Sequence, residues 1–132
     1  MSTVALTLLA SVASAGGQLD VPVTVDLDGM TAQGNQVTAR TSKNDVEIIG
    51  CGIKAFDDGT GSPFTYGFCQ ARDSEDVFIN CLTFSADLLE ALKANSAYTF
   101  IRFDWNEFGD CTRIDISTNS FYVPNFTTKG KN

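Results

Sequence analysis

Four cysteines in a chain of 132 residues, with no histidine anywhere, limit the folds and the chemistry open to this protein. The cysteines are Cys51, Cys69, Cys81 and Cys111, and none of them forms the close CxxC spacing of metal sites. An even number of cysteines in a short chain predicts two disulfides and an oxidising compartment outside the cytoplasm. Because histidine is the commonest metal ligand and general base, its absence argues against a metal centre and a catalytic thiol. We therefore expect no cofactor and no catalytic residue.

The charge pattern argues against nucleic acid as a partner. The chain carries 9 Lys and Arg against 16 Asp and Glu, which gives a formal net charge of −7. No two cations are adjacent, whereas a duplex-binding surface needs clustered cations. The length predicts one domain with a real hydrophobic core, for which 10 Phe, 3 Tyr and 1 Trp supply bulky side chains.

The first 15 residues predict a secretory signal peptide. Asp20 is the first charged side chain, and the apolar run 4–12 is followed by Ala13, Ser14 and Ala15, a small-residue cleavage pattern. The run is too short to cross a bilayer as a helix. Its near alternation of apolar and polar residues also fits a retained strand, donated to the domain itself or to a neighbouring subunit. Both interpretations leave residues 16–132 as a single disulfide-stapled, β-rich domain.

Residue alternation predicts an α+β fold that is mainly antiparallel β, with one short helix. We expect strands over 21–28, 37–41, 46–56, 64–72, 77–84, 98–105 and 111–117, a loop over 29–36, and a helix over about 86–95. Ser85 suits the N-cap of that helix. From residue 46 onward the order is three strands, a helix and two strands, as in an OB-fold. Other antiparallel meanders and sandwiches share this order, so both architectures stay open.

The position of one turn predicts the disulfide pairing. If the turn between the strands 46–56 and 64–72 centres near Thr60, Cys51 and Cys69 each lie nine residues from it and face each other. Cys81 then pairs with Cys111. Glycines at positions 50 and 52 leave room for a close packing partner or for a bulge that would shift the register.

Acidic residues gather in the predicted turns. Three such groups offer carboxylates for a small hydrolase, but acids in turns commonly serve turn geometry and solvation. The groups are Asp57/Asp58, Asp73/Glu75/Asp76 and Asp104/Glu107/Asp110. A weak calcium candidate is formed by Asp104, Asn106, Asp110 and Asp115. It follows the EF-hand spacing in part, but an aromatic residue breaks the fifth position and strands flank it. We expect a hairpin turn there rather than a metal site.

Three aromatic residues are weak candidates for a stacking platform, namely Trp105, Phe108 and Tyr122. Exposed aromatic rings can stack on flat ligands. Most aromatic side chains of a small domain fill its core, however, and that interpretation is favoured here.

Short motifs around the cysteines resemble those of small, uncharacterised secreted bacterial proteins with four cysteines. They read GC at 50–51, YGFCxARD at 66–73, RFxW at 102–105 and GxCT at 109–112. The resemblance covers residues 50–124 and leaves out the N-terminal third. It implies export and paired cysteines, and it implies no activity.

These observations together predict an exported, non-enzymatic domain that binds a protein, a glycan or itself at the cell envelope or outside. One alternative is a self-assembling structural subunit that uses the N-terminal segment as a donated strand. A second alternative is a small hydrolase that uses turn carboxylates.

Overall fold

The computed structural model describes residues 17–124, so the predicted signal peptide or donated strand lies outside the described residues. The described elements are β1 Thr24–Asp26, β2 Thr31–Asn35, α1 Gln36–Thr41, β3 Ile48–Phe56, β4 Phe64–Arg72, β5 Phe78–Thr83, α2 Ala86–Leu92, β6 Phe100–Trp105 and β7 Cys111–Ser117. A single 3₁₀ turn, Ser120–Tyr122, follows β7.

The strands form two antiparallel sheets, which confirms the predicted fold class. One sheet has the order β1-β2-β6-β7 and the other the order β3-β4-β5. A parallel bridge between Leu82 and Asp110 connects the two sheets at one point. The inner faces share one core, in which Ile101 and Phe103 are fully buried. The element order left an OB-fold barrel and another antiparallel meander or sandwich open. The strands form two separate sheets, which matches the second alternative.

The C-terminal two thirds follow the sequence closely. Strands β3, β5 and β6 differ from the predicted bounds by one or two residues at an end, and the helix end differs most. Strands β4 and β7 have the predicted bounds, and Ser85 caps α2 by accepting a hydrogen bond from the backbone N–H of Leu88 (3.5 Å). The helix ends at Leu92, three residues before the predicted end. The next backbone N–H groups bond three residues back, which tightens the chain into a turn. That turn lets Asn95 donate from Nδ2 to the carbonyl oxygen of Cys51 (3.0 Å).

The N-terminal prediction is wrong in two segments. The expected loop 29–36 contains β2, whose weakly strand-forming sequence pairs along its whole length with β6. On the other side of β2, Gly34 lets the chain before β1 approach closely, because a Cβ there would lie 3.0 Å from Val23 Cα. The expected strand 37–41 is helix α1, whose N-cap Asn35 accepts from the N–H groups of Val37 and Thr38 at 2.8 and 3.0 Å. Tertiary pairing and this cap outweigh local β propensity.

Both predicted disulfides are present, Cys51–Cys69 and Cys81–Cys111. The β3–β4 register is unbroken and places Cys51 directly opposite Cys69, with Cα atoms 4.0 Å apart. Cys81 lies opposite Cys69 on the next strand, so the four cysteines form one row across β3, β4, β5 and β7. The second bridge therefore ties one sheet to the other. Three of the four cysteines are buried, which makes the row part of the core.

Candidate functional site

The outer side of the three-stranded sheet presents a row of large apolar side chains to solvent. We call this surface the aromatic face; its members are Phe56, Phe64, Tyr66, Phe68, Phe78, Leu82 and Phe84. Phe84 is 68% exposed, Phe64 54% and Phe56 48%. Isolated exposed apolar residues are ordinary, but a contiguous patch marks an interaction surface.

Side-chain alternation along β4 explains why the bulky residues point outward. Tyr66 and Phe68 take the outer positions, whereas Gly67, Cys69 and Ala71 take the buried inner positions. The inner residues are small because helix α2 packs closely there. A Cβ at Gly67 would collide with Leu92 Cδ1 and lie 3.1 Å from Leu89 Cδ2. The fold thus uses small residues for packing and leaves the rings outside.

Three rings at the far end of the β3–β4 hairpin form a compact, nearly parallel group. The ring centroids of Phe56 and Phe64 are 5.0 Å apart, and those of Tyr66 lie 6.1 and 6.4 Å from them. The interplanar angles are 19°, 12° and 15°. Each pair is therefore offset-stacked, and because the three centroid distances are similar, the centroids form a triangle rather than a straight column. Phe84 adjoins Tyr66 at 6.1 Å and completes what we call the distal cluster.

The next ring along β4 packs against the neighbouring strand β3. Phe68 covers Gly52, since a Cβ at Gly52 would come within 2.8 Å of two atoms of the Phe68 ring. The predicted close partner of this glycine is therefore confirmed, and no bulge interrupts the register. Lys54 holds its ammonium 5.7 Å from the Phe68 centroid, a cation–π contact.

A second cation–π pair lies at the near end of the sheet. The guanidinium of Arg72 is 5.3 Å from the ring centroid of Phe78, and its Nε is 3.4 Å from the carboxylate of Asp76. On the outward positions of β3, β4 and β5, Lys54 and Arg72 are the charged residues, and no carboxylate shares these positions. The Asp and Glu residues that give the chain its negative net charge therefore lie outside these outward positions.

A polar row crosses the sheet between the two cation–π pairs. Gly50 on β3, Gln70 on β4 and Asn80 on β5 are cross-strand neighbours on the outer side. A Cβ at Gly50 would meet nothing within 4 Å, so open space lies above it. This row places two side-chain amides beside the aromatic rings, each with both donor and acceptor atoms.

A separate cleft of about 550 Å³ lies beside α1. Charged and polar side chains, among them Arg40, Asp45 and Glu47, line much of it. Glu47 already accepts from the N–H of Val23 (2.9 Å) and from Asn44 (2.6 Å). The cleft therefore uses part of its polar lining to hold the N-terminal segment in place.

The weak calcium candidates serve the hairpin between β6 and β7. Asn106 Oδ1 accepts from the N–H groups of Phe108 and Asp110 at 3.0 Å each. Asp104 pairs with Arg102 (3.3 Å) and Asp115 with Arg113 (2.6 Å) on the outer side of the other sheet. The hydrogen bond and charge of Asp115 raise the pKa of Arg113. Within residues 17–124, no group of three or more acidic or cysteine side chains is placed to hold a metal ion.

The aromatic candidates from the sequence separate into core and surface. Trp105 and Tyr122 are buried, whereas Phe108 is 80% exposed at the tip of its turn. None of the three belongs to the aromatic face. The sequence analysis did not single out the residues of the aromatic face. Alternation along β4 places Tyr66 and Phe68 on one side of the strand, but both sides are apolar, so the pattern does not say which side faces solvent.

The predicted hydrolase carboxylates cap turns. Asp57 Oδ1 accepts from the N–H of Gly59 (3.0 Å), and Asp58 Oδ1 accepts from the N–H of Thr60 (2.9 Å). The Thr60 hydroxyl also donates to Asp58, and these bonds hold the pKa of Asp58 below its usual range. Asp73 Oδ1 likewise accepts two backbone N–H bonds in its turn.

Comparison with known proteins returned no match to a protein family, a curated protein or a solved structure. In the described part of the chain, no helix has the length and apolar character needed to cross a membrane.

Proposed function

We propose that this protein is an exported, non-enzymatic domain that binds its ligand at the cell envelope or outside, through the aromatic face. The observation that carries the proposal is that the rings of the distal cluster point to solvent, while the other side of the same sheet is buried and already closely packed. Large exposed apolar patches are rare on proteins that act alone, because they cost solubility. Two disulfides support an oxidising compartment.

The absence of histidine, the commonest general base, and the placement of the turn acids support a binding role over catalysis. The chain has no histidine, and its turn acids are engaged by backbone N–H groups. A glycosidase needs two carboxylates that face each other across a substrate cleft. The outward positions of the aromatic face carry none.

The test compares binding of the wild-type protein with a Phe64→Ala/Phe84→Ala variant on a glycan array and on envelope material from the host. Both side chains are exposed, so the variant should keep a melting temperature close to that of the wild type and the same far-ultraviolet circular dichroism. We expect the variant to lose binding. Phe108→Ala is the matched control, because it removes an even more exposed ring from another surface. Equal binding by wild type and face variant would refute the proposal.

Self-assembly by strand addition is a second candidate, and the edge of β3 favours it. This nine-residue strand pairs with β4 on one side and with no described strand on the other. On that edge the carbonyl oxygen of Cys51 already accepts a hydrogen bond from Asn95 Nδ2. The residues of β3 that follow Cys51 lie outside the core, where Ile53 and Phe56 are exposed. Light scattering of the full chain and of a chain that begins at Gly16 tests this candidate. Oligomers that disappear on removal of the first 15 residues would support it, and monomers in both cases would exclude it.

A further inference from the structure

We infer that this protein forms a symmetric dimer in which the exposed end of β3 pairs antiparallel with the same segment of a second copy. The partner is therefore another molecule of this chain. The inference goes beyond the proposed function, because it concerns an edge of the three-stranded sheet rather than its outer side. It also differs from the donated-strand candidate, because the pairing uses described residues and none of the first 15.

The edge of β3 that faces away from β4 carries backbone groups that can bond another strand. Cys51 and Cys69 lie directly opposite each other with Cα atoms 4.0 Å apart, the spacing of a pair that exchanges no backbone hydrogen bonds. The N–H and C=O of Cys51 therefore point away from β4, which agrees with the hydrogen bond from Asn95 to that carbonyl. Because this direction alternates along a strand, the backbone groups of Ile53 and Ala55 also point away from β4.

The two halves of this edge differ in their cover. The start of β3 lines the cleft beside α1, and Asn95 lies against the middle of the strand. Residues 53–56 are all exposed, and within residues 17–124 no hydrogen bond reaches the outward backbone groups of Ile53 and Ala55. Natural proteins protect open edges with charges, proline, bulges or covering segments. Here Lys54 is the one charged residue of the strand, and the structure describes no bulge in its pairing with β4.

Exposed apolar side chains flank the open edge on both sides of the sheet. Ile53 is 37% exposed on the inner side, and Phe56 is 48% exposed on the outer side. A strand added at this edge would cover both side chains, and burial of apolar area stabilises association. A ligand confined to the aromatic face would leave Ile53 in water. The edge therefore favours a strand as its occupant.

The symmetry of a dimer selects one register. The hydrogen bond at Cys51 keeps that residue out of the pairing, so the two-fold axis lies near the end of β3. An axis at Lys54 would set two lysines directly opposite each other, which is destabilising. An axis at Ala55 instead pairs this residue with its copy and pairs Ile53 with the partner's Asp57. This register provides about six backbone hydrogen bonds.

Charge complementarity supports the same register and a second copy as the occupant. Lys54 would lie opposite the partner's Phe56 and diagonal to the partner's Asp58, and the symmetry repeats both contacts. In the described part of the chain, Lys54 contacts the ring of Phe68 and forms no ion pair. Asp58 lies in the exposed turn that follows β3. A second copy therefore supplies a carboxylate for the one cation of the strand.

The dimer would join the two three-stranded sheets edge to edge. Antiparallel pairing of identical strands puts the two-fold axis normal to the sheet, so both aromatic faces lie on the same side. Each distal cluster includes Phe56, which belongs to the pairing strand itself. The two clusters therefore adjoin across the new strand pair and form one larger surface.

The experiment is analytical ultracentrifugation of the full chain and of a chain that begins at Gly16, with disulfides intact, over a wide range of concentrations. Ala55→Pro removes an N–H group that bonds no described residue and that lies at the proposed axis. Proline is tolerated where a strand N–H faces a free edge. Ala55→Ser is the matched control, because it changes the same exposed side chain and keeps the N–H group.

We expect both wild-type chains to dimerise with a dissociation constant on the order of 10–100 µM, since the interface is small and two copies of net charge −7 repel each other. Ala55→Pro should stay monomeric at every concentration and keep its melting temperature in dilute solution. Ala55→Ser should dimerise as the wild type does. Lys54→Glu should weaken dimerisation roughly tenfold, and it provides the test if the proline variant does not fold.

Amide hydrogen exchange followed by NMR locates the interface. The N–H groups of Ile53 and Ala55 should exchange rapidly in dilute solution and become protected as the concentration rises. The N–H groups of Lys54 and Phe56 bond β4 in either state, so their protection should change little. These alternate residues are an internal control within one strand.

Four results would overturn the inference. The first is a monomer at every concentration, and the second is a dimer that Ala55→Pro leaves intact. The third is an oligomer that disappears with the first 15 residues, which would identify a donated strand. The fourth is a dimer that Phe64→Ala/Phe84→Ala abolishes while Ala55→Pro does not, which would place the aromatic face in the interface. If the protein is monomeric but still binds envelope material through the aromatic face, the inference is wrong and the proposed function stands.

Discussion

Replacement of Gly67 by alanine tests the packing that pushes the aromatic rings outward. The new methyl group would collide with Leu92 Cδ1 and lie 3.1 Å from both Leu89 Cδ2 and Thr83 Cγ2. Overpacking of a filled core costs about 1–3 kcal/mol, because side chains must leave their rotamers or α2 must move. For a domain of this size, about 2 kcal/mol corresponds to a fall of roughly 6–10 °C in Tm.

The matched control is Gly50→Ala, on the neighbouring strand and the opposite side of the same sheet. A Cβ there meets nothing within 4 Å, so the change should be neutral or stabilise by up to about 1 kcal/mol. Urea unfolding with intact disulfides gives both free energies. Leu92→Ala in the Gly67→Ala background removes the side chain with which the new methyl group collides. The double variant should therefore lose less free energy of unfolding than the sum of the losses of the two single variants. Equal stability of Gly67→Ala and Gly50→Ala would refute the packing argument.

Four further predictions concern the disulfides, the turn acids, metal and export. Removing both Cys81 and Cys111 should cost about 3–4 kcal/mol in urea unfolding, more than removing the other pair, because it opens the longer loop and separates the sheets; a smaller cost would contradict this. Thr60→Ala should raise the pKa of Asp58 toward its usual value in an NMR titration, and an unchanged pKa would contradict the assigned cause. A chelator should leave Tm unchanged, and a drop of several degrees would reveal a metal site. Mass spectrometry of protein from the host should find a mature chain that starts after Ala15, and an intact N-terminus would exclude cleavage.

Local patterns predicted the C-terminal elements because their signals agree with one another. Alternation, a dense turn near Thr60 and the cap at Ser85 all support the same strands and helix. The disulfide pairing followed from the turn position alone, because an unbroken hairpin places Cys51 opposite Cys69.

Segments with weak or conflicting local signals depended on tertiary contacts. The sequence of β2 has little strand propensity, and it becomes a strand because β6 offers a free edge and Gly34 lets Val23 approach. Asn35 is read as a loop residue from sequence, yet it ends β2 and caps α1 with its side chain. A residue that serves two elements gives no clear signal for either.

The aromatic face separates what the sequence determines from what the tertiary structure determines. Alternation established by itself that Tyr66 and Phe68 share one side of β4 and that Gly67, Cys69 and Ala71 share the other. Both sides are apolar, so hydrophobicity does not choose which of them is buried. The choice comes from the close approach of α2 over Gly67 and from the disulfide row, which require small residues inside. The rings are exposed because the space between β4 and α2 is too small to hold them.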